Sequence, residues 1–375
     1  MKILFTGGGT GGHFYPIIAV IDSLNKIVEQ EKIIVSDLIF MSDNPYDREL
    51  LRQKGVRFKK ASSGKIRRYF SLLNVTDFFK TILGALKAIF SVFFDFPDVV
   101  FSKGGYASFP AVFAARFFGI PLIIHDSDAI PGKVNHWSGK FARRIAISFP
   151  EAQKYFPKEK TALTGNPVRK ELFIPAKTGA KEFLGLEEGL PIILVMGGSQ
   201  GARMINDNLL DILPELVKKY QIIHQSGKNN FKETKDRSSI VLENSPYSSR
   251  YHLFSYLNLD ALRMAYGAAN LVISRASAGA IFEIAASGLP SILIPLGNAA
   301  QDHQRANAYS YAKVGAADVI DERNLSPHIL QSEVDRLLGD KDKLKAMGEA
   351  AKKFSRPDAA EKIAREIINL ALEHA

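Results

Sequence analysis

The chain has 375 residues, of which 46% are hydrophobic and 23% are charged, a composition that is typical of a soluble globular protein and supplies enough apolar side chains for two domain cores. It contains no cysteine, which excludes a disulfide framework and thiolate metal sites. The formal net charge of +10 at pH 7 favours a polyanionic partner, such as a nucleic acid, an anionic membrane surface or a phosphate-bearing substrate.

Strand and helix patterns alternate along the first part of the chain. Short buried strands are predicted at residues 3–6, 38–41, 99–102, 122–125 and 145–148, and helices at 17–28, 47–53, 76–94 and 111–118. Alternation of this kind predicts an α/β fold with parallel strands, right-handed crossovers and helices on both faces of the sheet. Ligands of such sheets bind beyond the carboxyl ends of the strands.

The segment 71–96 is apolar and close to the length of a membrane span. Asp77, Lys80 and Lys87 interrupt it, and a charge at the centre of a bilayer costs about 2.5–3.5 kcal/mol on insertion scales. Leu83 and Phe90 belong to a set of apolar residues that recur every three or four positions, which predicts an amphipathic helix rather than a membrane span.

Basic residues flank this helix. An apolar helix face among cations suits an anionic membrane surface, and the alternative is that Leu83, Phe90 and Phe93 are simply core residues. The residues assigned to membrane contact are Lys65, Arg67, Arg68, Leu83, Phe90 and Lys140.

A turn-rich stretch at residues 164–169 marks a domain boundary. A second unit starts with a strand at residue 191, and further strands are predicted at 221–224, 271–274, 291–294 and 317–320. The tail 357–375 has a helical pattern. We therefore expect an N-terminal domain over 1–165, a C-terminal domain over 166–355, and a helix over 356–375 that packs back on the N-terminal domain.

Four glycine-containing loops each follow a strand and precede a helix. They lie at residues 7–12, 102–110, 197–203 and 275–283. Such loops bring backbone N–H groups and helix N-termini towards an anion. One loop of this kind is explained by packing alone, but four at the carboxyl edges of strands indicate phosphate binding. His13 closes the first loop at the start of a helix, where a side chain would lie in the site.

Seven motifs occur in a fixed order, and together they resemble glycosyltransferase family 28, in particular its MurG family of membrane-associated N-acetylglucosaminyltransferases. The motifs are GGTGGH (8–13), KGGYASFP (103–110), H-x-x-x-x-I-P-G (125–132), TGNPVR (164–169), MGGSQGAR (196–203), HQSGK (224–228) and EIAASGLP (283–290). The resemblance extends from residue 1 to about residue 355.

The resemblance implies a GT-B fold, in which two Rossmann-like doubly wound parallel-sheet domains face a cleft. It also implies inverting transfer of N-acetylglucosamine from UDP-GlcNAc to the 4-hydroxyl of lipid I, which is undecaprenyl-pyrophosphoryl-MurNAc-pentapeptide, to form lipid II of the peptidoglycan pathway. The protein is then expected at the cytoplasmic face of the cytoplasmic membrane as a peripheral protein. Cell-wall and cell-division enzymes are its further candidate partners.

Carried over to this sequence, the family pattern assigns roles to particular residues. His13 is the first candidate for the catalytic base, since imidazole has a suitable pKa near neutrality, and Asp126 is the second. The donor residues are Thr10, Gly11, Gly12, Arg169, Ser199, Gln200, Leu257, Met264, Glu283, Gln304 and Asn307, and the acceptor residues are Gly104, Gly105, Tyr106 and Asp128. No obligatory metal or other cofactor is expected, since helix N-termini and Arg169 can stabilise the leaving diphosphate, an expectation that is compatible with stimulation by divalent ions.

This sequence departs from the family pattern in three places. The family's H-E-Q-N is His-Asp-Ser-Asp at 125–128, its R-S-G-A is displaced at 275–279, and the loop at 298–301 is one residue longer. The first departure leaves another lipid acceptor, such as diacylglycerol or a different polyprenyl-linked sugar, as the alternative substrate. A non-catalytic scaffold that binds sugar nucleotides is a second alternative. Nucleic-acid binding rests on charge alone, without a basic-aromatic platform or zinc-ligand spacing.

Overall fold

The computed structural model describes residues 1–64, 73–198, 201–297 and 302–374. The chain divides into two compact units: unit 1 contains Met1–Arg169 and Arg356–Ala375, and unit 2 contains Lys170–Ser355.

Unit 1 is built, over its described residues, on a sheet of seven parallel strands in the order β3-β2-β1-β4-β5-β6-β7. The strands are β1 (Lys2–Thr6), β2 (Asp37–Ser42), β3 (Val56–Lys60), β4 (Val99–Ser102), β5 (Leu122–Asp126), β6 (Arg144–Ile147) and β7 (Thr161–Leu163). The helices between them are α1 (Gly11–Glu31), α2 (Arg48–Gln53), α3 (Leu73–Asp95), α4 (Phe109–Phe118) and α5 (Lys133–Ser138).

Unit 2 repeats this plan, within its described ranges, with six parallel strands in the order β10-β9-β8-β11-β12-β13. The strands are β8 (Ile192–Met196), β9 (Gln221–Gln225), β10 (Tyr251–Phe254), β11 (Leu271–Ser274), β12 (Ser291–Leu293) and β13 (Ala317–Val319). The helices are α6 (Ala180–Leu184), α7 (Arg203–Lys219), α8 (Phe231–Val241), α9 (Leu259–Ala268), α10 (Ala278–Ser287), α11 (His303–Lys313), α12 (Pro327–Leu338) and α13 (Lys341–Phe354).

Central strands of both sheets are continuous apolar runs because helices cover both sheet faces. Every residue of β8 is buried, and the four C-terminal residues of β1 are buried as well. In each sheet the strand order reverses direction beside the first strand, β1 or β8, which places a topological switch point at the loop that follows that strand.

The C-terminal helix α14 (Ala359–His374) belongs to unit 1. Its buried residues Ile363 and Ile367 join the core formed by α1 and the sheet. Two ion pairs fix its orientation: Arg144 Nε of β6 lies 2.6 Å from Glu366 Oε1, and Arg365 Nη1 lies 2.9 Å from Glu31 Oε1 of α1. The tail is therefore an integral part of unit 1.

The apolar helix α3 is amphipathic. Ala88 and Val92 are fully buried against the unit 1 sheet, whereas the side chains of Leu83, Phe90 and Phe93 are 66%, 67% and 58% exposed. The alternative in which these three residues are core is therefore wrong. In the described ranges, no helix combines the length and the apolar character that a bilayer crossing requires.

Candidate functional site

Two glycine loops of unit 1 lie in direct contact at the carboxyl edge of the sheet. The N–H of Gly8, after β1, donates to the carbonyl of Gly104, after β4, at 2.9 Å. Gly105 has φ +83°, and a Cβ there would lie 3.0 Å from Gly8 Cα and 3.1 Å from His13 Nε2. Only glycine allows this backbone conformation together with this close approach.

His13 lies in the first turn of α1, beside both loops. Its Nδ1 is 3.3 Å from Thr10 Oγ1, and the residue is half-buried. Next to it, a Cβ on Gly12 would meet no atom nearer than Thr10 Oγ1 at 4.0 Å. The structure thus brings Thr10, Gly12, His13 and Gly105 together, with open space over the first turn of the helix.

Tyr106 is held in place by a carboxylate. Its hydroxyl donates to Asp43 Oδ2 at 2.6 Å, and burial together with this hydrogen bond raises the pKa of the phenol. Asp43 also accepts a hydrogen bond of 3.2 Å from Ser42 Oγ. In unit 1, the carboxylate that a dinucleotide fold would direct to a ribose is therefore used to orient Tyr106.

Asp126 lies at the end of β5 and is 2% exposed. Its Oδ1 accepts from the N–H of Asp128 at 3.0 Å, and its Oδ2 accepts from Asn135 Nδ2 at 2.9 Å and from the N–H of Gly132 at 3.3 Å. Burial and the neighbouring Asp128 raise the pKa of Asp126 to about 6. The carboxyl organises the loop from β5 to α5 and titrates near the range in which a general base works.

Lys103 is a residue of this site that the sequence analysis missed. It follows β4 directly and is 1% exposed, and its ammonium donates to Ser127 Oγ. Burial lowers its pKa to about 8, although Asp126 and Asp128 act in the opposite direction. A lysine is exposed in most sequence contexts, so no local pattern signals this burial.

Asn135, on α5, is a second missed residue. Its Nδ2 donates to the carbonyl of His125 at 2.9 Å as well as to Asp126, and it is 4% exposed. A Cβ on Gly104 would lie 2.5 Å from the same nitrogen. Asn135 therefore connects β5, α5 and the second glycine loop, a role that no local sequence pattern signals.

His125 is a buried neutral histidine. Its Nε2 lies 3.0 Å from the carbonyl of Gly165, so this nitrogen carries the proton and donates it. Burial, and then the Lys103 ammonium, hold the pKa of His125 well below its ordinary value. His125 thus fixes the start of the TGNPVR turn at the carboxyl edge of the sheet.

Arg169, the arginine of that turn, packs on α1. Its guanidinium lies 4.3 Å from the centre of the Tyr15 ring, a distance that is typical of a cation–π contact. Tyr15 is two residues beyond His13, so the structure places Arg169 near the same helix terminus.

In unit 2 the loops after β8, β9 and β10 form a second cluster. Gly201 has φ +86°, and a Cβ there would lie 2.3 Å from the carbonyl oxygen of Ser226. The N–H of Leu257 donates to Gln225 Oε1 at 2.9 Å. These contacts join the three loops, but Ser199 and Gln200, two of the predicted donor residues, lie outside the described residues.

A buried polar network, centred on His224 of β9, holds this cluster in place. His224 Nδ1 lies 2.7 Å from the Tyr251 hydroxyl, and its Nε2 lies 3.0 Å from Asn206 Oδ1. Asn206 Nδ2 in turn donates to the carbonyl of Ser226 at 3.1 Å. Burial lowers the pKa of His224 to about 3, so the imidazole stays neutral and acts as part of the scaffold.

The helix α10 begins with an N-cap and open space. Ser277 Oγ accepts from the N–H of Ala280 at 3.4 Å, and a Cβ on Gly279 would meet nothing within 4 Å. Glu283, predicted to bind the ribose, is half-buried on the same helix. Gly279, which is displaced relative to the family pattern, therefore leaves the first turn of α10 accessible.

The remaining donor candidates occupy different positions. Met264 is half-buried on α9. Asn307 is fully buried, and its Nδ2 donates to the carbonyl of Ala276 at 3.4 Å, which ties α11 to the loop after β11. Gln304 Oε1 accepts from the N–H of Leu296 at 3.0 Å. The longer loop predicted at 298–301 lies outside the described residues.

Of the predicted membrane residues, Leu83, Phe90 and Lys140 are exposed on unit 1. Lys65, Arg67 and Arg68 lie outside the described residues. No group of three histidine, aspartate or glutamate side chains suitable for a metal ion occurs in the part of the chain that the structure describes.

Comparisons with known proteins agree with this architecture. A model of the glycosyltransferase family 28 N-terminal domain matches residues 3–147, and a model of its C-terminal domain matches residues 192–363. The UDP-N-acetylglucosamine--N-acetylmuramyl-(pentapeptide) pyrophosphoryl-undecaprenol N-acetylglucosamine transferase of Clostridium tetani is 37% identical over 344 residues, which cover 91% of each chain. The enzyme of the same name from Lachnoclostridium phytofermentans is 38% identical over 363 residues, or 96% of this chain and 97% of that one.

Solved structures show the same plan. The crystal structure of Acinetobacter baumannii MurG superimposes with a TM-score of 0.73 at 25% identity and covers 98% of this chain and 99% of that one. A Staphylococcus aureus MnaA–UDP structure has a TM-score of 0.70 at 15% identity, with 99% and 98% coverage, which supports the fold alone. The predicted GT-B class, with two doubly wound parallel-sheet domains, is confirmed.

Proposed function

This chain belongs to glycosyltransferase family 28, and on that premise we propose that it transfers N-acetylglucosamine from UDP-GlcNAc to the 4-hydroxyl of lipid I and so forms lipid II. The proposal is carried by one observation: enzymes of that activity are 37% and 38% identical over nearly the whole chain. The glycine loops that an anionic substrate requires are present at the carboxyl edges of both sheets.

In the proposed reaction the muramyl 4-hydroxyl oxygen attacks the anomeric carbon of N-acetylglucosamine, the bond from that carbon to the diphosphate oxygen breaks, and UDP leaves. The configuration at the anomeric carbon inverts. His13 accepts the proton that the hydroxyl loses, because its imidazole is half-buried beside the first two glycine loops and is the right type of base near neutral pH. Asp126 is the second candidate for this role.

Unit 1 supplies the acceptor residues in this proposal. Gly104 and Gly105 expose backbone to the substrate, since both have positive φ and lack side chains. Tyr106 presents a ring that Asp43 holds in place. Asp128 lies after β5, beside the Lys103 ammonium. Unit 1 also supplies three of the donor residues, Thr10, Gly11 and Gly12, which surround the N-terminus of α1, where the N–H groups favour an anion.

Unit 2 supplies most of the donor residues. Glu283 accepts hydrogen bonds from the two ribose hydroxyls, a pairing that suits a carboxylate. The open first turn of α10 and the loop at 197–201, with Ser199 and Gln200, approach the diphosphate. Leu257 and Met264 contact the uracil, and Gln304 and Asn307 serve the hexose. Arg169 offsets the charge of the leaving diphosphate.

We also propose that unit 1 associates peripherally with the cytoplasmic face of an anionic membrane. The exposed apolar side chains on α3 and α4 include Leu83, Phe90 and Phe117, at 66%, 67% and 65% exposure. Lys87 and Lys140 are exposed as well. Apolar area combined with cations, at about 1 kcal/mol for each basic residue near an anionic surface, is the combination that holds a protein on a leaflet.

The test is direct transfer by the purified protein. Radiolabelled UDP-GlcNAc is incubated with lipid I, or in parallel with diacylglycerol, in detergent micelles, and the lipid products are separated. The proposal predicts label in lipid II and none in glycolipid. Product only with diacylglycerol would assign the alternative acceptor, and binding of UDP-GlcNAc without any transfer would identify a scaffold.

A further inference from the structure

The turn after β12, residues 294–297, is held by hydrogen bonds from two of its backbone amides. The N–H of Leu296 donates to Gln304 Oε1 at 3.0 Å, and the N–H of Gly297 donates to Glu322 Oε2 at 2.7 Å. Both residues of the turn are exposed, whereas the Glu322 side chain is 15% exposed. A surface turn is thus fixed by side chains from two other segments of unit 2.

Glu322 is itself fixed by an arginine from the end of β11. Arg275 Nη2 lies 2.5 Å from Glu322 Oε1, and Arg275 Nη1 donates to the carbonyl of Ile294 at 3.2 Å. The Arg275 side chain is 11% exposed, so the pair is largely shielded from water, where a charge-assisted hydrogen bond is stronger than at the surface. Arg275 therefore holds the first residue of the turn, Ile294, and Glu322 holds the last, Gly297.

This arrangement determines which atoms of Gln304 remain for a ligand. A backbone N–H can only donate, so the carboxamide oxygen of Gln304 must face Leu296. The NH₂ group of the same side chain then points the other way, as a donor suited to hydroxyl or carbonyl oxygens. Neither Arg275 nor Glu322 has to touch the ligand for this orientation to depend on them.

We propose that Glu322, with Arg275, is a positioning residue for the hexose of the sugar nucleotide, acting through the Leu296–Gly297 turn and the orientation of Gln304. This inference rests on the proposed function for the identity of the donor. Because the pair acts on the part of the site that serves the sugar, it controls affinity for UDP-GlcNAc and leaves affinity for UDP unchanged.

The variant Glu322→Gln tests the proposal with little change in shape. Arg275 and Gly297 donate to different oxygens of Glu322, and glutamine replaces one of these oxygens with an NH₂ donor, so one of the two hydrogen bonds is lost. Calorimetry should show that the Kd for UDP-GlcNAc rises by about tenfold, while the Kd for UDP changes by less than about twofold. Amide hydrogen exchange of the ligand-free protein should be faster at Leu296 and Gly297.

Two further variants make the result decisive. Gly297→Ala keeps the charge pair but would place a Cβ 2.9 Å from Glu322 Oε2, and it should reproduce the selective loss of UDP-GlcNAc binding. Glu333→Gln, a matched change in the Glu333–Arg336 ion pair on α12, should leave both affinities unchanged.

Equal weakening of UDP and UDP-GlcNAc, or unchanged affinity for both, would overturn the positioning role. Unchanged amide exchange at Leu296 and Gly297 would show that Glu322 does not stabilise the turn. If the unmodified protein binds neither nucleotide, the proposed function fails. The exchange measurement then still tests, without any ligand, whether Glu322 stabilises the turn.

Discussion

The Lys103 ammonium lowers the pKa of the buried Asp126 carboxyl, against the larger opposing effects of burial and of Asp128. Because Asp126 has a pKa of about 6 in the folded protein, above its ordinary value of 3.8, the folded state binds this proton more tightly than the unfolded chain does. Its contribution to stability is therefore present below about pH 4 and is lost as the pH rises to about 6. The Lys103 ammonium lowers this pKa, so in Lys103→Met the loss should continue above pH 6.

Urea unfolding between pH 4 and 7.5 measures this effect, with fluorescence of Trp137, the single tryptophan of the chain, as the reporter of unit 1. The Lys103 pKa is about 8, so Lys103 stays mostly protonated up to about pH 7, and its own titration enters only at the top of this range. Lys26→Met, at an exposed position of α1, is the control. Parallel profiles for Lys103→Met and the unmodified protein would show that the ammonium does not act on Asp126.

His13 should matter for turnover rather than for binding. General base catalysis contributes about 10²–10⁴-fold, so we expect His13→Ala to lower kcat for lipid II formation by a factor in this range with little change in the KM for UDP-GlcNAc. Steady-state transfer assays from pH 6 to 9 check this, with the exposed His328→Ala as control. A His13→Ala enzyme that matches the unmodified rate across this range would move the base role to Asp126.

The sequence identifies site residues that are tied to backbone geometry and misses those tied to tertiary contacts. Gly105 and His13 are visible because a glycine-rich loop between a strand and a helix has few other uses. Lys103 is not visible, since a lysine is exposed in most contexts and its partners Asp126, Ser127 and Asp128 lie at the end of the neighbouring strand β5 and in the loop that follows it. Glu322 acts on Gly297 from 25 residues away, a separation without any local pattern.

At the level of elements, a similar distinction separates most central strands from edge strands. The predicted strands of the first half, and the strands at 221–224, 271–274 and 291–294, are confirmed, because strands buried on both faces are apolar runs. The strand predicted at 317–320 is confirmed as well, as the edge strand β13, whereas the other three edge strands, β3, β7 and β10, are missed. Their sequences are short or polar, as in Val-Arg-Phe-Lys-Lys of β3.

The helix α3 carries a backbone contact that depends on glycine. A Cβ on Gly84 would lie 1.6 Å from the carbonyl oxygen of Ser62, and the next residue of that segment, Ser63, donates through Oγ to the carbonyl of Tyr106 at 2.9 Å. Gly84→Ala should therefore push the segment away, destabilise unit 1 by about 1–3 kcal/mol and raise the KM for lipid I.

Trp137-monitored urea unfolding and steady-state transfer measure the two effects of Gly84→Ala. Lys87→Ala lies on the exposed side of the same helix and should leave stability within about 0.5 kcal/mol of the unmodified value. If the Gly84→Ala protein is as stable as the Lys87→Ala protein, the 62–64 segment can move away from α3 without lowering the free energy of unfolding.

At the level of the whole molecule, composition and motif order predict two α/β units and a basic protein, but not which apolar residues face outwards. Phe117 and Leu83 are as hydrophobic as the core residues around them, and only the packing of α3 and α4 on the sheet leaves them exposed at 65% and 66%. A monomeric protein rarely exposes a large contiguous apolar face without a partner. The net charge of +10 adds a preference for an anionic one.

Binding to vesicles tests this conclusion for the intact protein. Cosedimentation with phosphatidylglycerol-containing vesicles should exceed that with phosphatidylcholine alone and should fall as salt rises from 0.05 to about 0.5 M, because screening weakens attraction to the surface. The double variant Leu83→Ser, Phe90→Ser should reduce partitioning by about tenfold or more through lost apolar burial.

The control for this experiment is Ile240→Ser, at a position of unit 2 that is 71% exposed but lies outside α3 and α4. It should bind as the unmodified protein does, and all variants should keep the same unfolding transition, since the replaced side chains pack on little else. If the double variant cosediments like the unmodified protein, the exposed face of α3 is not the membrane contact. If salt has no effect while the double variant fails to bind, the apolar face alone holds unit 1 on the bilayer and the basic residues around it serve another purpose.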